Sequence, residues 1–138
     1  MILIGDIGNT EVKIFLLSDK KKIKKKFILK IKKISNHYIN SKLWSLKIYS
    51  KRIEKILFSS VVPNVYTQLK SYIKKKLKKN CYEIKEQNLK KIINIKVNKK
   101  QVGSDRIANA IGIIDNKKNY IIVDFGTATT FDIVEKNY

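Results

Sequence analysis

Residues 6–10 read DIGNT and residues 124–129 read DFGTAT, and each follows a short apolar run. This twice-used device constrains the chain more than any other feature. An aspartate closing a strand, then an apolar residue, a glycine and small hydroxyl or amide side chains, makes a turn whose backbone N–H groups and hydroxyls can converge on an anion. Carboxylates repel phosphate, so Asp6 and Asp124 are expected to hold a divalent cation bridging phosphate groups. One such motif alone reads more readily as an ordinary turn. Two in one chain of 138 residues point to a phosphate clamp built from two bends.

Between the bends lies GSDRIAN, residues 103–109. Ser104 suits the N-cap of a helix running to about Asp115, with Ile107, Ala108, Ile111 and Ile114 facing inward. Asp105 then falls in the first turn, where the helix dipole favours negative charge and keeps a carboxylate able to accept a proton. Arg106 is one of only two arginines, with Arg52, among 31 basic residues. An arginine where lysine is the rule suggests that the planar fork is needed, as in bidentate capture of a carboxylate or phosphate. Blander readings compete: helix capping for Asp105, a surface ion pair for Arg106, turn capping for Thr10, Thr127 and Thr129. Asp132 reads as a solvent-facing strand residue, His37 beside Tyr38 and Trp44 as packing, and Cys81 as an inert thiol.

The formal charge of +20 raises the possibility of a polyanion partner. The lysines are scattered over several segments and no patch interleaves arginine with aromatic residues, so a solvated lysine surface is the better reading and a nucleic-acid-binding module the alternative. One cysteine and one histidine exclude an internal disulfide and a Cys/His zinc site. The opening MILIGDIGNT has no basic n-region and meets Asp6 too early for a signal peptide or membrane span. A cytoplasmic chain without a membrane partner is expected.

Hydrophobic patterning predicts strands at ILIG and EVKIFLL joined at Gly8 and Asn9, a charged connection over 20–26, and a third strand at FILKIKKI. A weak helical pattern covers 40–51. IEKILFSS reads as a buried strand ending before Pro63, Val65 to Lys79 as an amphipathic helix, CYEI as a strand, and INIKV as a short one. YIIVD and TTFDIV form a final strand pair. The order predicts an α/β domain over residues 1–138, a mixed sheet flanked by helices.

DIGNT at 6–10, SSVVPNVYTQL at 59–69, VGSDRIANAIG at 102–112 and IIVDFGTATTFDIV at 121–134 together resemble type III pantothenate kinase, a family that includes the Bvg accessory factors. The resemblance covers nearly the whole chain. It implies an actin-like ATPase (sugar kinase/Hsp70/actin) fold, ribonuclease H-like in its sheet, in a homodimer that transfers phosphate from ATP to pantothenate, the first step of coenzyme A biosynthesis. It also implies magnesium and a monovalent cation, potassium or ammonium. By this resemblance Asp6, Gly8, Asn9 and Thr10 form the first phosphate loop, Gly126, Thr127 and Thr129 the second, and Asp124 and Asp6 are metal ligands. Asp105 is the general base, Arg106 holds the pantothenate carboxylate, and Gly103, Ser104 and Asn109 shape that site. Family members continue for about another hundred residues beyond the position of Tyr138, so the resemblance implies the N-terminal domain of a two-domain kinase, expected to be inactive or nearly so alone. A non-enzymatic regulator of the same fold is the nearer alternative, against which the three aspartates weigh.

Overall fold

A computed structural model describes residues 1–98, 101–115, 117–126 and 128–136. The chain divides into two compact units, Met1–Gln87 and Asn88–Tyr138. Among the described residues no helix is long and apolar enough to cross a membrane.

The first unit is built on a five-stranded mixed sheet. Strands β1 (Ile2–Ile7), β2 (Glu11–Leu17) and β3 (Ile23–Lys30) form an antiparallel meander, and β4 (Lys55–Ser60) and β5 (Tyr82–Glu83) extend it in parallel, in the order β3-β2-β1-β4-β5. Strand alternation sorts the side chains. Leu3 and Ile7 of β1, Val12, Ile14 and Leu16 of β2, and Ile56 and Phe58 of β4 are buried on one face. Two helices complete that core, α1 (Asn36–Leu43) through Ile39 and Leu43, and α2 (Pro63–Leu77) through Leu69, Ile73 and Leu77.

Helix ends follow local chemistry. The Ser35 hydroxyl caps α1 by accepting the Tyr38 amide at 3.2 Å, so this helix begins well before the weak pattern at residue 40 suggests. Pro63 opens α2, where a missing N–H costs nothing. Lys78 ends it in the left-handed region at φ 56°.

The third strand starts at Ile23, inside what reads as a charged connection, and the segment after Lys30 turns into a short 3₁₀ helix, Ile31–Lys33. The reason is the register: Leu17 pairs with Ile23 and Glu11 with Lys30. Lysines on this edge strand keep their stems along the sheet and their charges in water, which also protects the edge from pairing with another chain.

At the centre of the sheet Gly5 pairs with Phe58 across the parallel β1/β4 ladder. A Cβ at Gly5 would lie 2.1 Å from the Phe58 ring, which is fully buried. The glycine leaves the space that this ring fills.

The second unit holds α3 (Ser104–Ile113) packed on a two-stranded antiparallel hairpin of β6 (Tyr120–Phe125) and β7 (Thr129–Val134). The INIKV stretch, residues 93–97, forms no strand. Ile93 and Ile95 are half-buried and line a cleft with Ile107 and Ala110 of α3, so packing on a helix, without a ladder partner, satisfies their alternation. On α3 the buried residues are Ser104, Ile107 and Ala110, a stripe rotated from the expected one; Ala108, Ile111 and Ile114 are only half-buried. The outer face of the hairpin carries Ile121, Val123, Phe125, Phe131 and Ile133, all exposed, with Phe125 at 82%.

Gly5→Ala is expected to destabilise the protein by about 1–3 kcal/mol, as overpacking of a filled core does, measured by urea unfolding. Combining it with Phe58→Leu should recover part of the loss, because the smaller side chain removes the ring that the methyl strikes. Burial pushes the Cys81 thiol up to about 12 from its ordinary 9.0. Folding therefore favours the neutral thiol: its stabilising contribution is complete below pH 9 and fades as pH rises toward 12. At pH 8 the native protein should resist a disulfide reagent and react fully once unfolded in urea.

Candidate functional site

In the first unit the DIGNT bend joins β1 to β2. Asp6 is the penultimate residue of β1, half-buried on the side of the sheet opposite Leu3 and Ile7. It pairs in register with Lys13 on one side and Ser59 on the other, and the Ser59 hydroxyl donates to its Oδ1 at 3.3 Å. Asn9 and Thr10 are exposed. The Gly8 N–H donates to the Glu11 carbonyl at 3.0 Å, closing the bend, and the Thr10 carbonyl accepts from Ile31 at 2.9 Å.

The second bend repeats this plan. Asp124 is the penultimate residue of β6, and the Gly126 N–H donates to the Ala128 carbonyl at 3.3 Å. In both bends the glycine N–H is engaged within the turn, so the anion-binding capacity read into the glycines has to come from neighbouring amides and hydroxyls. A Cβ at Gly8 or Gly126 would make only ordinary contacts, at 3.5 Å and 3.6 Å, and neither residue has positive φ. Nothing inside the fold demands glycine at either place. Thr127 lies outside the described residues, and Thr129, exposed, begins β7.

The start of α3 stands against this hairpin. Gly103 occupies the N-cap position with φ −62° and ψ 148°, and no side chain caps the helix there. Ser104, expected as the cap, is instead the first helical residue and is 1% exposed. The extended backbone of Gly103 makes the transition into the helix and turns the Ser104 hydroxyl inward, away from the capping position. Asp105 takes part of the capping role, accepting the Arg106 amide on Oδ1 at 2.8 Å. One turn on, the Asn109 side-chain amide reaches Asp124 Oδ2 at 3.5 Å, linking the helix to the tip of β6.

Arg106 crosses to β7. Its Nε donates to Asp132 Oδ1 at 2.6 Å, Nη2 donates to the Phe131 carbonyl at 3.2 Å, and Nη2 also forms an ion pair with the same Asp132 oxygen. The hydrogen bond to Asp132 holds the guanidinium above its ordinary pKa. Both residues line a cleft of about 760 Å³ whose apolar wall includes Ile95, Val97, Val102 and Ile107. Asp132 therefore does not face solvent as its strand position suggests: its side chain is 15% exposed, and its buried Oδ2 has no hydrogen-bond partner among the described residues. Strand alternation carries the explanation, since Thr130 and Asp132 share the face of β7 that Asp124 and Ile122 share on β6, with Asp124 directly opposite Thr130. Sequence reading passed over Thr130 and the pairing of Asp132. The period-2 pattern, set against Arg106, was the available signal.

Among the described residues no group of three histidine, cysteine or acidic side chains could hold a metal ion. A cation at Asp124 or Asp6 would need further oxygens from water or a phosphate substrate, which is how magnesium is usually bound.

A family model described as Type III pantothenate kinase matches residues 2–138. The type III pantothenate kinase of Pelagibacter ubique (strain HTCC1062) is 55% identical over 137 residues, 99% of this chain and 55% of that protein. The enzyme of the same name from Thermosipho melanesiensis is 35% identical over 145 residues, 100% of this chain and 56% of that protein. The chain spans about half the length of the curated relatives it matches. A provisionally assigned N-acetylglucosamine kinase of Porphyromonas gingivalis, whose structure is solved, superposes with a TM-score of 0.54 at 15% identity, covering 99% of this chain and 45% of that one. That likeness is one of fold, the actin-like ATPase fold of sugar kinases.

Proposed function

From the premise that the chain belongs to the type III pantothenate kinase family, we propose that it serves the ATP-dependent phosphorylation of pantothenate to 4′-phosphopantothenate, the first step of coenzyme A biosynthesis. The activity is assigned to a protein of the relatives' full length, acting in the cytoplasm as a homodimer. One observation carries the reading most: a guanidinium and a carboxylate, Arg106 and Asp105, stand side by side at the start of α3, with Arg106 on the wall of a largely apolar cleft.

The chemistry asks for few parts. Arg106 binds the carboxylate of pantothenate, for which a planar fork is suited. Asp105 accepts the proton of the primary hydroxyl as that oxygen attacks the terminal phosphorus of ATP, whose bond to the bridging oxygen of the β-phosphate breaks and releases ADP. Backbone amides and hydroxyls of the bends at Asn9, Thr10, Thr127 and Thr129 receive phosphate oxygens, and Gly8 and Gly126 allow a phosphate to approach where a methyl would stand. The absence of any internal demand for glycine at these two positions supports that role. Gly103 and Asn109 support the site by setting the start of α3 and by tying it to Asp124. Ser104 belongs there through its backbone, its side chain being enclosed.

Asp6 and Asp124 are the residues that would hold magnesium arriving with ATP, and Asp124 the one nearest a monovalent cation, potassium or ammonium. The metal supplies neutralisation of charge on the phosphate oxygens. Asp124 fits such a role in that its carboxylate is joined by a side-chain amide and lies across from a threonine.

Asp105→Asn in the full-length protein should lower kcat by about 10²-fold or more, the usual worth of a positioned general base, and leave ATP affinity unchanged. A coupled ADP-release assay with pantothenate reads the first, and equilibrium titration with a non-hydrolysable ATP analogue the second. Undiminished turnover would remove Asp105 from the role.

A further inference from the structure

We propose that Asp132 is a positioning residue: it holds the Arg106 guanidinium in the orientation that receives a ligand's carboxylate. The inference rests on the reading of Arg106 as the carboxylate-binding residue. Nε and Nη2 both point to β7, on Asp132 Oδ1 and the Phe131 carbonyl. Among the described residues Nη1 has no partner, which leaves its N–H groups for an incoming anion. The two side chains are 35% and 15% exposed, so the attraction of this largely buried pair is offset by the desolvation of its charges. An arginine side chain is long and its rotamer freedom large. Holding it in place before the ligand arrives removes an ordering cost that binding would otherwise meet.

Asp132 also carries a charge that opposes the one Arg106 offers, so two roles can be told apart. If Asp132 acts by orientation, any side chain with an acceptor oxygen at the same place will serve. If it acts by charge, its removal will strengthen carboxylate binding whatever replaces it. Asp132→Asn keeps the acceptor and drops the charge; Asp132→Ala drops both.

The test is titration of pantothenate, and of pantothenol, which bears a hydroxyl in place of the carboxylate, into the full-length wild-type protein and both variants. Orientation predicts that Asp132→Ala weakens pantothenate binding by about threefold to tenfold, the cost of ordering one long side chain. Pantothenol affinity should stay unchanged, and Asp132→Asn should restore most of the loss. Equal affinities across the three proteins, or tighter pantothenate binding in both variants, would overturn the inference and leave the wider reading standing. A wild type that binds neither ligand would overturn both together. A second measurement is independent of ligand. With only two arginines in the 138-residue chain, its nitrogen NMR spectrum should show one Nε–H protected from exchange and one, that of the exposed Arg52, unprotected. Protection should persist in Asp132→Asn and vanish in Asp132→Ala; equal exchange at both arginines in the wild type would also sink the proposal.

Discussion

Everything in the first unit depends on β1 having a neighbour on each side. It is antiparallel to β2 and parallel to β4, and the two ladders set three rows on one face of the sheet: Ile56, Leu3 and Leu16; Phe58, Gly5 and Ile14; then Ser60, Ile7 and Val12. The middle row works only because Gly5 has no side chain where the Phe58 ring lies. With Leu3 and Ile7 committed inward, alternation sends Asp6 to the opposite face, where its carboxylate stays partly open to water beside Ser59. The placing of this acid on a central strand is thus a by-product of core packing one residue to either side.

The second unit reaches a similar result with less material. Six residues of β6 place Asp124 next to last, as six residues of β1 place Asp6, and each bend is closed by a hydrogen bond from its glycine N–H. The two bends share a construction and differ in support: β1 is covered on one face by helices α1 and α2, whereas the β6/β7 hairpin has α3 on one face only. The charged side chains of α3 take their places from its N-terminal turn, where Asp105 satisfies a backbone amide and Arg106 reaches across to β7. The arginine and its acid are 26 residues apart in sequence and meet through packing of helix on hairpin.

Much of this was legible beforehand, for identifiable reasons. The alternation in EVKIFLL and the helical stripe through Leu69, Tyr72, Ile73 and Leu77 are strong periodic signals, and the structure follows them; TTFDIV forms its strand with the faces reversed, Phe131 and Ile133 exposed and Asp132 inward. The start of β3 was misread because lysine was weighed as charge alone; on an edge strand its methylene stem serves as strand surface. INIKV misled because alternation also suits an irregular segment lying on a helix. Ser104 looked like a cap because its residue type is favoured there, yet the extended backbone of Gly103 makes the transition without any side-chain bond. Asp132 reads as solvent-facing because a partner distant in sequence leaves no local mark, and only the shared parity with Thr130 hints at its inward face.

Residues 119–135 contain no basic side chain, in a protein whose net charge is +20. The bare outer face of the hairpin, from Ile121 to Ile133, lies within that stretch. Mutual repulsion among lysines opposes indiscriminate association of copies of the chain at low ionic strength, and its reach shrinks to about 10 Å near 0.1 M salt. Apolar attraction is not screened in this way, and sulfate strengthens it. The colloidal behaviour of the molecule is therefore set by the solvent's ions, with a greasy spot waiting behind an electrostatic fence.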